Sequence, residues 1–233
     1  MSLFHSDAFL AFRSRDFSLL SVNQLCLILA IMIQEVVIAY SIYQLTQNPL
    51  SLGMIALIEL LPFICLSLIS GDWADRYNRQ KIVQWSFSCS TLIPLFFIVL
   101  FSQYQQHHIQ QNTLLCGIYS LIFCLGILRG IYSPSFNSLR PFLTPESAYS
   151  NAATWTALIW QIGGILAPLC AGLLLGQLGL EKTLFIVFFL CCVGSICLFG
   201  LSPRQFPSPH KQHLSKSLKE AYLFIFKHPL MFW

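Results

Sequence analysis

Six stretches of this sequence are each long and apolar enough to cross a bilayer, and that constrains the fold more than any other feature. They run roughly 17–45, 50–70, 82–103, 113–135, 148–176 and 183–202. A helix needs about 20 apolar residues to cross the hydrocarbon core. In that medium only helices and closed barrels satisfy their own backbone groups. Strands alternating in hydropathy over about ten residues, as a membrane barrel requires, are missing from the sequence. The expected fold class is therefore an all-α membrane protein, a six-transmembrane-helix bundle. Composition agrees, with 56% hydrophobic and 9% charged residues and a mean hydropathy of +0.68. Soluble domains carry about 25% charged residues.

Lysine and arginine set the expected orientation. Arg13 and Arg15, then Arg76, Arg79 and Lys81, then Arg140, then Arg204, Lys211, Lys216, Lys219 and Lys227 all fall on one side. Lys182 falls on the other, and Arg129 lies within a span. Eleven of the 13 basic residues face one way, which places the N-terminus in the cytoplasm and the protein in the cell (inner) membrane. Residues 1–16 read as a cytoplasmic lead-in, 17–202 as the bundle, and 203–220 as a cytoplasmic linker rich in Pro, Ser, Lys and His. Residues 221–233 read as the truncated start of a seventh span. The tight Thr46-Gln47-Asn48-Pro49 connection makes the first two spans an antiparallel pair.

Several function classes are disfavoured. Basic residues are not clustered with aromatics, which argues against nucleic acid as a partner. The nine cysteines sit in apolar runs without CxxC-and-histidine spacing, and His107-His108 has no carboxylate beside it, so no metal is expected. No HExxH occurs, and Asp72 lacks an aspartate partner within a span, so the chain does not read as an enzyme. No cofactor is expected.

The connection after the second span carries the most specific pattern: Gly71-Asp-Trp-Ala-Asp75-Arg76-Tyr-Asn78-Arg79-Gln-Lys81. It resembles the signature loop of the major facilitator superfamily, Gly-x-Leu-Ala-Asp-Arg-x-Gly-Arg-basic-basic. Gly71, Ala74, Asp75, Arg76, Arg79 and Lys81 match, with Trp73, Asn78 and Gln80 departing. Of its flanks, Ala11–Phe17 resembles the cytoplasmic lead-in to the family's first helix, and Ile42–Pro62 resembles the first hairpin of the drug and siderophore exporter branch, including enterobactin-exporter-like proteins. Gly163, Ala167, Pro168, Ala171 and Gly172 resemble a softened fifth-helix antiporter motif. Leu125 and Arg129 fit a fourth-helix arginine motif, with Tyr132 and Ser133 at its Gln-Gly positions.

The resemblance covers only the N-terminal half of such a transporter. It implies secondary transport of a small molecule, with coupling to H+ suspected, efflux of drugs or siderophores, and a missing C-terminal six-helix half as partner. It also implies that Asp75 and its arginines form a latch against that other half. The alternative is a self-standing six-helix protein that pairs with a second copy, or a non-transporting remnant.

Residue-level expectations follow. Gly71 would let the backbone turn tightly where the second helix leaves the bilayer. Asn78 would replace the signature glycine by adopting a left-handed conformation. Asp75 would sit near the N-terminus of the third helix, where the dipole favours a carboxylate. Arg76 and Arg79 would share a face if the turn is helical. Glu35 and Glu59 lie ten and nine residues from the ends of their shared hairpin, which puts both roughly 14–15 Å deep. Acids at that depth either line a substrate and proton site or bond a neighbouring helix. Arg129, counted from its own helix end, lies roughly 25 Å deep. That argues against a pair with either acid and leaves two readings, snorkelling to the cytoplasm or bracing the Asp75 turn. The ridges Gly163/Ala167/Ala171 and Gly164/Pro168/Gly172/Gly176 would serve close helix packing in lipid.

Overall fold

The computed structural model describes residues 9–202, apart from the side chains of Leu68, Asp72, Ala74, Asp75 and Arg76. The linker at 203–220 and the segment at 221–233 lie outside the described residues. So do residues 1–8 of the lead-in and the side-chain positions of Asp75 and Arg76.

Among the described residues six α-helices follow one another: α1 (Arg15–Thr46), α2 (Leu50–Arg76), α3 (Arg79–Thr91), α4 (Ile93–Gln105), α5 (Gln111–Leu143) and α6 (Tyr149–Phe199). Short 3-10 turns at Ala11–Arg13 and Glu146–Ala148 precede α1 and α6. Among the described residues five helical stretches are long and apolar enough to cross a membrane, α3 and α4 together making one of them. Pro94 stands in the first turn of α4. Its ring nitrogen cannot donate to the preceding turn, so the stretch breaks at Leu92 and resumes.

The last stretch spans 51 residues, which as a straight rod would measure about 77 Å, far beyond a hydrocarbon core of about 30 Å. Gly179 resolves this with φ 79° and ψ 177°, a region open essentially to glycine alone. Two arms result. Adjacent residues on α1 hold one arm each: Gln24 Nε2 donates to Thr156 O at 3.1 Å and Asn23 Nδ2 to Gly194 O at 3.0 Å. The arms therefore lie side by side against α1, and Thr183 Oγ1 bonds Gly179 O at 2.7 Å to start the second.

Packing does not follow chain order. Past its tight turn, α2 leaves α1 and packs on α5, while α1 packs on both arms of α6, and α3 and α4 lie against α5 and α6. The expected pairing of the first two helices thus holds only near the hairpin. Among the described residues two large apolar cores result, beside a small cluster of Ala11, Phe17, Ala148 and Ala152. Ile33, Val37, Ile42, Phe97, Ile118 and Leu184 belong to the one nearer the hairpin. Leu20, Val83, Phe87, Phe136, Leu139 and Leu198 belong to the one nearer the basic end.

Small residues allow the closest approaches. A Cβ on Gly126 would stand 2.4 Å from Glu59 O and 2.7 Å from Pro62 Cγ, and one on Gly130 would stand 3.0 Å from Phe63 O. Ser70 Oγ donates to Gly130 O at 2.7 Å. Gly126 and Gly130 are thus the small-xxx-small contact that seats α2 on α5. On α6 the two expected ridges part company. Gly163, Ala167 and Ala171 are buried, and a Cβ on Gly163 would meet Ile28 Cγ2 of α1 at 2.6 Å. Gly164, Gly172 and Gly176 have nothing within 4 Å of a Cβ, and Pro168 is exposed. That second ridge packs on nothing among the described residues.

The basic end is closed by polar bonds between chain segments. Asp16 Oδ1 accepts from Ser202 N at 3.2 Å and from Ser202 Oγ at 3.0 Å. Ser14 Oγ donates to Leu143 O at 3.3 Å and Gln80 Nε2 to Leu201 O at 3.3 Å. The lead-in docks on α6 through Ala11 N to Asn151 Oδ1 at 3.1 Å, with Phe9 and Phe12 against the Trp155 ring.

Candidate functional site: an ion cluster at the wall of a cavity

The 71–81 connection differs from expectation in each local detail. α2 runs straight through Gly71 and ends at Arg76, and a Cβ on Gly71 would meet nothing within 4 Å. The turn is Tyr77-Asn78. Asn78 has φ −65° and ψ 106°, not a left-handed conformation, and its side chain accepts from Lys81 N at 3.3 Å. Asparagine therefore serves here as the N-cap of α3. Asp75 belongs to the last turn of α2 rather than to the start of the third helix. Arg76 and Arg79 lie on two different helices, separated by the extended Tyr77, and share no helical face. Arg79 leans on α5, with Nη1 3.5 Å from Ser138 O and its guanidinium 5.3 Å from the centre of the Phe142 ring.

The three charged residues placed within the spans come together. Arg129 Nη1 donates to Glu35 Oε1 at 3.0 Å, and the same nitrogen pairs with Glu59 Oε1. The depth estimate that argued against this assumed that α5 and the first hairpin begin at one height. They do not. Gly126, fifteen residues into α5, touches Glu59, nine residues into α2, and six residues of helix amount to about 9 Å. Side-chain direction adds to this, because Cβ atoms tilt toward their own helix N-terminus. α1 runs opposite to α5, so Glu35 leans toward the basic end while Arg129 leans away from it, and they meet. The three members are unequally buried: Glu59 is 16% exposed, Arg129 34% and Glu35 45%.

Glu35 and Arg129 border a cavity of about 1040 Å³; Glu59 stands outside it, behind Arg129. The cavity runs between α1, α5 and the arms of α6 toward the basic end, and Phe17, Phe63, Phe87, Phe136 and Trp160 give it mainly apolar walls. That mixture of apolar walls and few polar groups is the usual form of a small-molecule site.

Sequence reasoning missed part of this wall. The sequence places Arg140 in a cytoplasmic loop, but α5 continues eight residues past the expected Ser135. Pro134 and Pro141 lie within the helix, and Arg140 lines the cavity. The polar run Ser-Phe-Asn-Ser lowers hydropathy, yet Ser135 and Phe136 are buried in the bundle and Phe136 and Asn137 line the cavity. Arg140 Nη2 donates to Gln24 Oε1 at 3.0 Å, and its guanidinium lies 4.7 Å above the Phe136 ring centre. Beside it the wholly buried Asn23 accepts from Tyr132 Oη at 3.1 Å while donating to Gly194. The spacing of Gly126 and Gly130 around Arg129 is a signal in the sequence for a close helix contact beside that arginine, though not for which helix makes it.

Bundled apolar helices, charged groups inside the bundle and a central cavity define an integral membrane protein. The profile of the Major Facilitator Superfamily matches residues 20–233, and the chain belongs to that family. It is 24% identical over 203 residues to YfiS, an uncharacterised MFS-type transporter of Bacillus subtilis, covering 84% of this chain and 45% of that protein. It is 28% identical over 90 residues to the multi-drug resistance efflux pump PmrA of Streptococcus pneumoniae, 39% of this chain and 22% of the pump. It is 26% identical over 128 residues to the staphyloferrin A transporter of Staphylococcus aureus, 55% of this chain and 31% of that protein. The chain thus spans less than half the length of the curated relatives it matches.

Proposed function

We propose that this chain is the N-terminal six-span bundle of a secondary transporter that couples proton movement to efflux of a small molecule, a drug or siderophore. Its N-terminus is cytoplasmic and it sits in the inner membrane, which the bias of basic residues supports. The two arms of α6 supply the fifth and sixth spans. A second six-helix unit, either a C-terminal half or a second copy, completes the pathway.

One observation carries the reading: a guanidinium from α5 bridges carboxylates from α1 and α2 at the edge of the large cavity. Ionisable groups at such depth are costly and mark ion or substrate pathways. Two acids against one cation leave a single excess negative charge, and one proton on either acid makes the cluster neutral. Glu35, open to the cavity, is the member a proton reaches; Glu59 anchors Arg129 from behind. Transport then requires the cluster to differ between two states separated by only a few kcal/mol. The Gly71–Lys81 connection, with Asp75, Arg76, Arg79 and Lys81, is the contact that biases those states. Relatives described as an efflux pump and a siderophore transporter support the substrate class.

The test uses proteoliposomes containing the chain and two fluorescent dyes of opposite charge. An imposed pH gradient drives uptake of one of them, and Glu35→Gln lowers that flux at least tenfold. Gradient-driven flux that Glu35→Gln leaves unchanged refutes the role of the cluster. No flux at all rules out a pair of identical chains as the transporting unit.

A further inference from the structure

The cavity contains a second cation with a different status from the first. Arg129 is balanced by two carboxylates. Among the described residues no carboxylate pairs with Arg140. Eleven residues of α5 separate the two arginines, about 16 Å, so the acids on Arg129 do not neutralise Arg140. Its Nη2 donates to the neutral Gln24, its charge lies over the Phe136 ring, and its Nε is buried without an acceptor. Gln24 is itself fixed, since its amide donates to Thr156 O. These contacts hold the guanidinium in place, and among the described residues its charge has no carboxylate partner.

A fixed cation between low-dielectric walls concentrates its field in the space it faces, and the guanidinium fork matches oxyanions such as carboxylate and phosphate. The space it faces is mainly apolar, with Trp160 and Phe136 on its walls. From this arrangement we propose that Arg140 is the counter-charge for an amphipathic organic anion, whose acidic group sits at the basic end and whose apolar body extends toward Arg129. The proposal rests on the transport reading above for its physiological meaning, but binding tests it separately from transport. A lipophilic cation meets the opposite field at the same point and is disfavoured.

The experiment measures equilibrium binding of radiolabelled 2-naphthoate and of 2-naphthylmethylammonium to the full chain in phosphatidylcholine nanodiscs, with empty nanodiscs as baseline. The two probes share an aromatic body and differ in charge. The wild-type chain binds naphthoate at least tenfold tighter than the ammonium. Arg140→Gln abolishes that preference while changing ammonium affinity by less than threefold, and Arg140→Lys, which keeps the charge, retains the preference. The proposal is overturned if the wild-type chain prefers the ammonium or lacks saturable naphthoate binding. It is also overturned if Arg140→Gln keeps the preference or Arg140→Lys loses it. Anionic lipid has the same chemistry, so phosphatidylglycerol added to the nanodiscs identifies the source. Competition with naphthoate assigns the site to a lipid anion, and its absence assigns it to a free one. Dye flux that Glu35→Gln leaves unchanged, with naphthoate binding intact, would refute the transport role of the ion cluster and leave this proposal standing.

Discussion

Glu59 and Glu35 accept from the same nitrogen of Arg129, yet their environments rank them differently, and a double-mutant cycle measures the ranking. Glu59 is 16% exposed and Glu35 45%. A charge-assisted hydrogen bond in a buried setting contributes about 1.5–3 kcal/mol, whereas exposed ion pairs contribute about 0–1 kcal/mol. Glu59→Gln leaves Arg129 its 3.0 Å bond to Glu35, and the new amide oxygen still accepts, so part of the interaction survives. The expected loss is about 2 kcal/mol for Glu59→Gln and under about 1 kcal/mol for Glu35→Gln. For a chain of this size, 1 kcal/mol moves the midpoint by about 2–4 °C. That is roughly 4–8 °C for the first variant and under about 4 °C for the second. Arg129→Gln costs more than either, about 3 kcal/mol, because it strands two carboxylates without a cation. Thermal unfolding in detergent, followed with a thiol-reactive dye, is a suitable assay once the exposed Cys65, Cys89, Cys116 and Cys124 are replaced by serine, because Cys26 and Cys191 are buried in the fold. Coupling between Arg129 and Glu59 should exceed that between Arg129 and Glu35 by about 1 kcal/mol or more. Equal couplings, or a larger midpoint loss for Glu35→Gln, would refute the assignment of Glu59 as the anchor.

The glycines offer a paired control. Gly126→Ala drives a methyl into the Glu59 carbonyl of α2 and should cost about 1–3 kcal/mol in the same assay, whereas Gly164→Ala, with open space around it, should be neutral or slightly stabilising. Asn23→Leu leaves the Tyr132 hydroxyl and the Gly194 carbonyl without their side-chain partner and should cost about 2–3 kcal/mol. Adding Tyr132→Phe should recover part of that loss, and no recovery would show that the two do not act as a pair. Topology is testable by single-cysteine labelling in a cysteine-free chain. A cysteine at Gln110 should react with an impermeant maleimide in intact cells, and one at Asn78 only after permeabilisation; the reverse pattern would invert the proposed orientation.

Much of this protein is legible in the residues one at a time. Membrane residence follows from apolar runs such as Arg15–Thr46 because hydrocarbon accepts only self-satisfied backbone, and family membership was readable in Gly71–Lys81 because identity and spacing survive in a linear string. Local geometry in that same stretch was not. Asn78 became a cap and Gly71 stayed in the helix, because backbone choice there depends on where α2 stops, and α5 supports the turn through Arg79 and Ser138.

The charged cluster shows the division most clearly. By itself the sequence determined that Glu35, Glu59 and Arg129 lie inside the apolar segments, since each is surrounded by residues that would be solvated nowhere else. Only the tertiary structure decided that they meet. Depth counted along one helix carries no information about how far a neighbouring helix has slid, and that offset is set by Gly126 against Glu59 and Pro62. Arg140 passed from an expected loop to the cavity wall for a related reason. Hydropathy scores a residue against lipid, whereas Gln24, Phe136 and the interior of the bundle provide a third environment that only packing creates.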